Sequence, residues 1–323
     1  MTSSGTRGGI DLGGTKIQAA VVGADHKVLG EEREATPTEG GPPDVAAAMV
    51  KAMRAAAEQA GVETSELEGV GVGAPGAIDA AAGTVSDAVN LPKWADTSFG
   101  LGEALAKELG TEIRIGNDVQ VATDAEFHLG AGQPYDSMLG VFWGTGVGGG
   151  IVLNGRDWVG RGAAGEIGHI VVKIDGAKCP CGRRGCMEAY AGRRPMEEEA
   201  RRRHEDGEPT ELFKIMKKKG HDRLKSGVWE DAYNDGDKLA KKLLDRAVKA
   251  LGAGVASAVN VLDVEAVIIG GGLGTRFGEP FKDRIAKQMS KHLFADDRPP
   301  AILVAELGDL GGAIGATLLF DEG

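Results

Sequence analysis

Three features of the sequence predict an α/β protein of two lobes. Short runs of strand character alternate with runs of helical spacing through the first half, as a largely parallel sheet would require. The second half repeats that plan with variations, and 323 residues are enough for two cores of ordinary domain size. Glycine supplies 52 of those residues, about double the ~7% of an average protein. The glycines cluster in short turns without a repeat period, so many tight turns and close backbone approaches are expected.

Taken in order, GGIDLGG, KIQAAVVG and KVLGEERE read as a meander of three strands, with Gly13-Gly14 and Asp25-His26 as its turns. Pro42 and Pro43 signal a helix start, and Val45, Met49, Met53 and Ala56 recur at helical spacing over 44–60. GVGVGA is the next strand, a helix at 101–109 leads into the strand EIRIGN, and Asp118 opens a further helix. MLGVFWGTG, GGIVLNG and RDWVG then read as short strands around glycine-rich turns. DLGGTKIQAAVV and WGTGVGGGIVL each join two strand runs through a turn bearing glycine and threonine, a weak internal likeness that points to duplicated lobes.

Residues 193–235, with ARRRHEDGE and MKKKGHDRLK, read as a solvated, helix-like insertion. A long helix over 236–262 carries Leu239, Leu243, Ala247, Leu251, Val255 and Val259 every fourth residue. VEAVIIGGG follows as a buried strand, and GDLGGAIGATLLF as a closing helix. The expected division is an N-terminal lobe of residues 1–118 completed by the helix at 308–323, and a C-terminal lobe of 119–307 with a metal-binding loop at 169–188. No Pro/Ser-rich linker separates the halves, so the lobes are expected to share a ligand cleft.

A net charge of −11 disfavours nucleic acid and anionic membranes as partners and leaves small molecules. No apolar run is long enough to span a bilayer, and MTSSGTRGG has no secretory apolar segment, so a cytoplasmic protein is expected. All three cysteines, Cys179, Cys181 and Cys186, lie within CPCGRRGC. In a reducing compartment such clustering points to metal or redox chemistry more than to disulfides, which an odd number cannot complete.

The glycine turns have the composition of phosphate sites. In DLGGTK, Gly13 and Gly14 let backbone N–H groups turn toward an anion, Thr15 offers a hydroxyl, Lys16 adds charge, and Asp11 can hold a hydrated magnesium ion. One such turn is equally well a hairpin with a charged edge. A second, WGTGVGGG with Thr145 and Gly146, raises the odds, since two such loops facing each other could cradle a triphosphate. Gly270, Gly271 and Gly272, after a buried strand, could bring backbone near an adenosine, or be a plain strand-to-helix turn.

Together with GAPG at 73–76, NLPKW at 90–94, GND at 116–118, EIGH at 166–169, CPCGRRGCME and GAIGA, these motifs run from end to end of the chain. In that order they resemble the bacterial ROK (repressor, open reading frame, kinase) family, its glucokinase branch above all. The resemblance implies a two-lobed actin-like ATPase fold of the ribonuclease H-like type, and ATP- and magnesium-dependent phosphorylation of a hexose such as glucose. Mannose, N-acetylglucosamine or fructose as acceptor, and polyphosphate as donor, remain open. It also implies a homodimer. Repressors of the family carry a winged helix-turn-helix ahead of the kinase-like body, and here ten residues precede Asp11, so a repressor is not expected. A partner-driven ATPase is the other alternative, marked by ATP turnover without hexose.

His169 stands ten residues before Cys179, and with Cys181 and Cys186 it can close a tetrahedral zinc site. Four ligands leave no open position, so the zinc would be structural; the resemblance assigns zinc to the same residues. Asp118, where a strand meets a helix, is either the catalytic base or a helix N-cap, and the resemblance gives it the base. The family continues GND with a small residue and Asn, whereas this chain has Val119 and Gln120, which puts a neighbouring contact in question. Asn117, Glu166, His169 and Glu188 match positions that hold the hexose ring, with Asn90 a weaker candidate.

Overall fold

The glycine turn near the N-terminus joins the first two strands of the first sheet. The computed structural model describes residues 5–88 and 91–321, so Asn90 lies outside the described residues. β1 (Arg7–Leu12), β2 (Lys16–Val22) and β3 (Val28–Ala35) form the expected antiparallel meander. α1 (Pro42–Ala60) starts on its prolines, with Asp44 accepting the Gly41 N–H at 2.8 Å. It buries Val45, Met49, Met53 and Ala56, the stripe read from the sequence. β4 (Val70–Ala74) joins β1 in parallel. A small antiparallel sheet that the sequence did not signal comes next, made of β5 (Ala77–Asp79), β6 (Thr84–Ser86) and β7 (Ser98–Phe99). α2 (Leu101–Leu109), β8 (Ile113–Asn117) and α3 (Asp118–Leu129) complete this part, giving the sheet order β3-β2-β1-β4-β8.

The second sheet repeats that order. β9 (Met138–Trp143) and β10 (Val147–Leu153) are antiparallel, and β11 (Arg156–Asp157) extends the edge. The strand read at RDWVG stops at Asp157, and Trp158 and Val159 are exposed, with no alternate apolar face to hold them in a ladder. α4 (Glu188–Ala191), α5 (Arg193–Glu205), α6 (Leu212–Lys218) and α7 (Ser226–Asn234) precede the long α8 (Lys238–Leu262). β12 (Ala266–Gly270), α9 (Gly271–Met289) and β13 (Ala301–Val304) give the order β11-β10-β9-β12-β13, with the β9–β12 and β12–β13 pairs parallel. The internal likeness of the two glycine turns is therefore a likeness of two sheets.

Residues 193–235 are not simply solvated. Arg202 pairs with Asp206 at the surface, yet Met196, Leu212, Leu224, Val228 and Trp229 are buried. Charge density concealed a narrow apolar stripe.

Two compact units result, Met1–Gln133 with Asp157–Ala164 and Leu307–Gly323, and Pro134–Arg156 with Gly165–Glu306. α10 (Gly311–Thr317) packs on β1, β4 and α3, so the first unit is completed by the far end of the chain. The approach is backbone to backbone: a methyl group on Gly9 or Gly71 would collide with the carbonyl oxygens of Ala313 and Ala316. Gly71→Ala should therefore cost about 1–3 kcal/mol, because a main-chain carbonyl cannot swing aside. A denaturant titration with an unmoved midpoint would show that α10 is held elsewhere. No helix among the described residues is long and apolar enough to cross a membrane.

Candidate functional site

In the first unit the candidate groups gather at the carboxyl ends of β1, β4 and β8, the edge where open α/β sheets meet ligands. Asp11 pairs in register with Gly73, and Gly73 with Gly116. Asp118 lies just past Gly116, so Asp11 and Asp118 are two strands apart, on the order of 10 Å. The Asn117 side chain caps α3, accepting from the N–H groups of Val119 (3.1 Å) and Gln120 (3.2 Å). Asp118 is thus the first helical residue, with Oδ1 accepting the Val119 N–H at 2.9 Å, and the capping duty falls on its neighbour.

Gly13 closes the β1–β2 turn by donating its N–H to the Lys16 carbonyl at 2.9 Å, with Gly14 and Thr15 exposed at the tip. Lys16 reaches Asp309 at 3.3 Å, a partner with no sequence signal. Burial pushes the Asp11 carboxyl up to about 6 against the pull of Lys16, with Asp309 adding to the rise. Gly312 packs against that carboxyl.

In the second unit two glycine turns lie side by side. Thr145 and Gly146 sit between β9 and β10, and Gly270–Gly272 join β12 to α9. Gly271, at φ +78°, rests on the Trp143 carbonyl, where a side chain would be both strained and blocked. A side chain begun at Gly144 would start 3.8 Å from the Gly272 nitrogen. Arg193, which carries no signal of its own in the sequence, donates to the Thr145 hydroxyl at 2.8 Å and to the Ser226 hydroxyl at 3.4 Å. It is hidden among the other arginines of GRRPMEEEARRR.

The Cys/His loop is the most sharply defined cluster. The ligand atoms of His169, Cys179, Cys181 and Cys186 all lie within 4.8 Å of one another. Cys181 Sγ and Cys186 Sγ are 3.8 Å apart, and Cys179 Sγ lies 3.8 Å from His169 Nδ1. A tetrahedron with Zn–S bonds of about 2.3 Å has edges of about 3.8 Å, so the donor set has the size and chemistry for zinc. Burial pushes the Cys179 thiol far up, and a bound dication would reverse that by taking the thiolate.

Two carboxylates border this loop. Glu166, largely exposed, faces His169 Nε2 at 3.7 Å, on the ring edge opposite the cysteines. Glu188 accepts the Val147 N–H through Oε2 at 2.9 Å while Oε1 lies 3.8 Å from Cys179 Sγ. Its carboxylate fills the space a side chain on Gly146 would need. Glu188 thereby joins the cysteine loop to the glycine turn, a link that sequence spacing alone does not reveal.

The chain as a whole is similar to known proteins. The model of the ROK family matches residues 7–322. A glucokinase of Thermotoga maritima is 32% identical over 311 residues, covering 94% of this chain and 95% of its own. An N-acetyl-D-glucosamine kinase of Pectobacterium atrosepticum is also 32% identical, over 96% of this chain and 97% of its own. Among solved structures, the ROK family glucokinase of Streptomyces griseus in complex with glucose and AMPPNP shares 33% identity and a TM-score of 0.84, covering 99% of this chain and 100% of that one.

Proposed function

Since the chain belongs to the ROK family and has its two-lobed actin-like ATPase fold, we propose that it is a hexose kinase that moves the terminal phosphoryl group of ATP onto a hydroxyl of glucose. The observation that carries this reading is the division of labour at the start of α3. Asn117 caps the helix, so the Asp118 carboxylate stands at the ligand edge of the sheet without being needed as the cap. Asp118 takes the hydroxyl proton as the sugar oxygen attacks the γ-phosphorus, and the bond to the departing ADP breaks. Asn117, through its amide nitrogen, and Glu166, His169 and Glu188 orient the hexose.

The nucleotide-binding groups proposed are Asp11, Gly13, Gly14, Thr15 and Lys16, with Thr145, Gly146 and Gly270–Gly272. Asp11 would hold the hydrated magnesium ion, which when bound neutralises the phosphate charge. His169, Cys179, Cys181 and Cys186 would hold a structural zinc that stiffens the loop carrying Glu188. ATP as donor and three unpaired thiols fit a cytoplasmic enzyme. A homodimer is proposed from the family resemblance, and light scattering decides it.

The raised Asp11 carboxyl gives a pH signature. At pH 7 it is about nine-tenths ionised, and below about 6 it takes a proton and loses its hold on magnesium. kcat/KM for MgATP should fall tenfold per unit below about pH 6, with excess magnesium shifting the fall to lower pH. For stability the sign is opposite: the penalty for the ionised form is present above about pH 6 and fades as pH falls through it. Asp11→Asn should thus stabilise the free protein at pH 8 while losing nucleotide turnover. A flat profile from pH 5 to 7 would remove Asp11 from the metal.

A coupled assay over glucose, mannose, N-acetylglucosamine and fructose, with ATP and polyphosphate as donors, tests the whole reading. Glucose with ATP should give the highest kcat/KM. ATP hydrolysis unaffected by any sugar would instead support a partner-driven ATPase.

A further inference from the structure

We infer that the Arg193 guanidinium is a phosphate-binding group, supplying the positive charge that the phosphate chain of the nucleotide meets beside the two glycine turns of the second unit. The inference rests on the kinase reading for the nucleotide and goes beyond it in naming the cation. Neither glycine turn of this unit carries a lysine or arginine of its own: 144–150 is GTGVGGG and 270–274 is GGGLG. From these two turns the phosphate chain would meet backbone N–H groups and the Thr145 hydroxyl, with no positive charge.

Arg193 is placed to answer that need. Its side chain reaches the tip of one turn at Thr145 and stands beside the other through Ser226, whose hydroxyl lies 3.2 Å from where a side chain on Gly272 would begin. Its own N–H donates to the Gly144 carbonyl at 3.0 Å, and the next residue, Arg194, donates to the Thr145 carbonyl at 3.0 Å, so the start of α5 is fixed to the turn.

Both side-chain partners are neutral hydroxyls. Among the described residues no carboxylate lies within 4.0 Å of the guanidinium. Glu197, one turn along α5, is already held by Arg201 (2.7 Å) and Arg223 (3.0 Å). For this half-buried cation, hydrogen-bonded only to hydroxyls, the cost of burial outweighs the pull of the more distant Glu197 carboxylate. A planar guanidinium is the side chain best matched to phosphate oxygens, and two of its N–H groups are already oriented by the hydroxyls.

The competing role is a brace that only fastens the turn to α5. Glutamine at this position keeps hydrogen-bonding capacity without charge, and lysine keeps charge without the fork. Calorimetric titration of wild type, Arg193→Gln and Arg193→Lys with ADP and with adenosine, in magnesium at two salt concentrations, separates the roles. Arg193→Gln should bind ADP roughly 10- to 100-fold more weakly with a shallower salt dependence. Adenosine affinity should stay within about twofold, and Arg193→Lys should recover most of the loss. Wild-type affinity of Arg193→Gln for ADP, or an equal loss for adenosine, overturns the inference, as does a wild-type protein that binds no ADP. The kinase reading fails by a different observation, the absence of hexose-dependent ADP release from the wild-type enzyme.

Discussion

Asp118→Ala is expected to lower kcat by about three orders of magnitude while the hexose dissociation constant rises less than tenfold. Removing a general base typically forfeits a factor of 10²–10⁴, because the attacking hydroxyl must then lose its proton to water. The helix should survive the change, since its cap is Asn117 with bonds of 3.1 and 3.2 Å to the Val119 and Gln120 amides. Asp118→Asn, nearly identical in shape, should be equally impaired, which separates proton transfer from packing. Turnover and sugar binding must be measured on the same preparation. A variant retaining a tenth of wild-type turnover would show that another carboxylate is the base.

The second large effect is expected from the cysteine loop. Cys181→Ser, or removal of metal by a chelator, should leave less than one zinc per chain and raise KM for hexose by roughly tenfold or more, the scale of losing orientation at a metal-supported site. Glu166 and Glu188 border the cluster and His169 belongs to it, so under the proposed assignment the sugar side is expected to bear most of the loss. KM for ATP should rise by a smaller factor, because the loop reaches the glycine turn through the bond from Val147 to Glu188. Both units should remain folded, since their largest buried side chains, such as Trp94, Trp143 and Trp229, lie outside the loop. Elemental analysis beside kinetics decides it: an active metal-free enzyme, or equal losses toward both substrates, would refute the model.

The strands, the long helices and the metal loop were legible because each follows from a local pattern. The stripe of α1 and α8 is a matter of spacing, and three cysteines crowded into eight residues point to a metal by their proximity alone. Contacts made across the sequence left no such trace. That Asn117 rather than Asp118 caps α3 depends on one rotamer, and both are good capping residues. Arg193 meets Ser226 across 33 positions, and Lys16 meets Asp309 across nearly the whole chain. The apolar stripe of 193–235 was outvoted by charge, and the small β5-β6-β7 sheet has strands too short to show a period.

The docking of α10 against Gly9 and Gly71 also sets an order of events during synthesis. Residues 7–133 leave the ribosome first, with α1 already able to pack on β2 and β3, yet the place of α10 on β1 and β4 stays empty until residues 311–317 appear, after the whole second unit has been made. At 5–20 residues per second, that wait is roughly 10–30 s. Until then the glycine-lined face of β1 and β4 lies open, while the second unit, continuous over residues 165–306 apart from its opening strands, can already close. The earlier-made half is therefore the later of the two to receive its last element. A ribosome stalled before residue 311 would hold an unfinished sheet that chaperones can recognise.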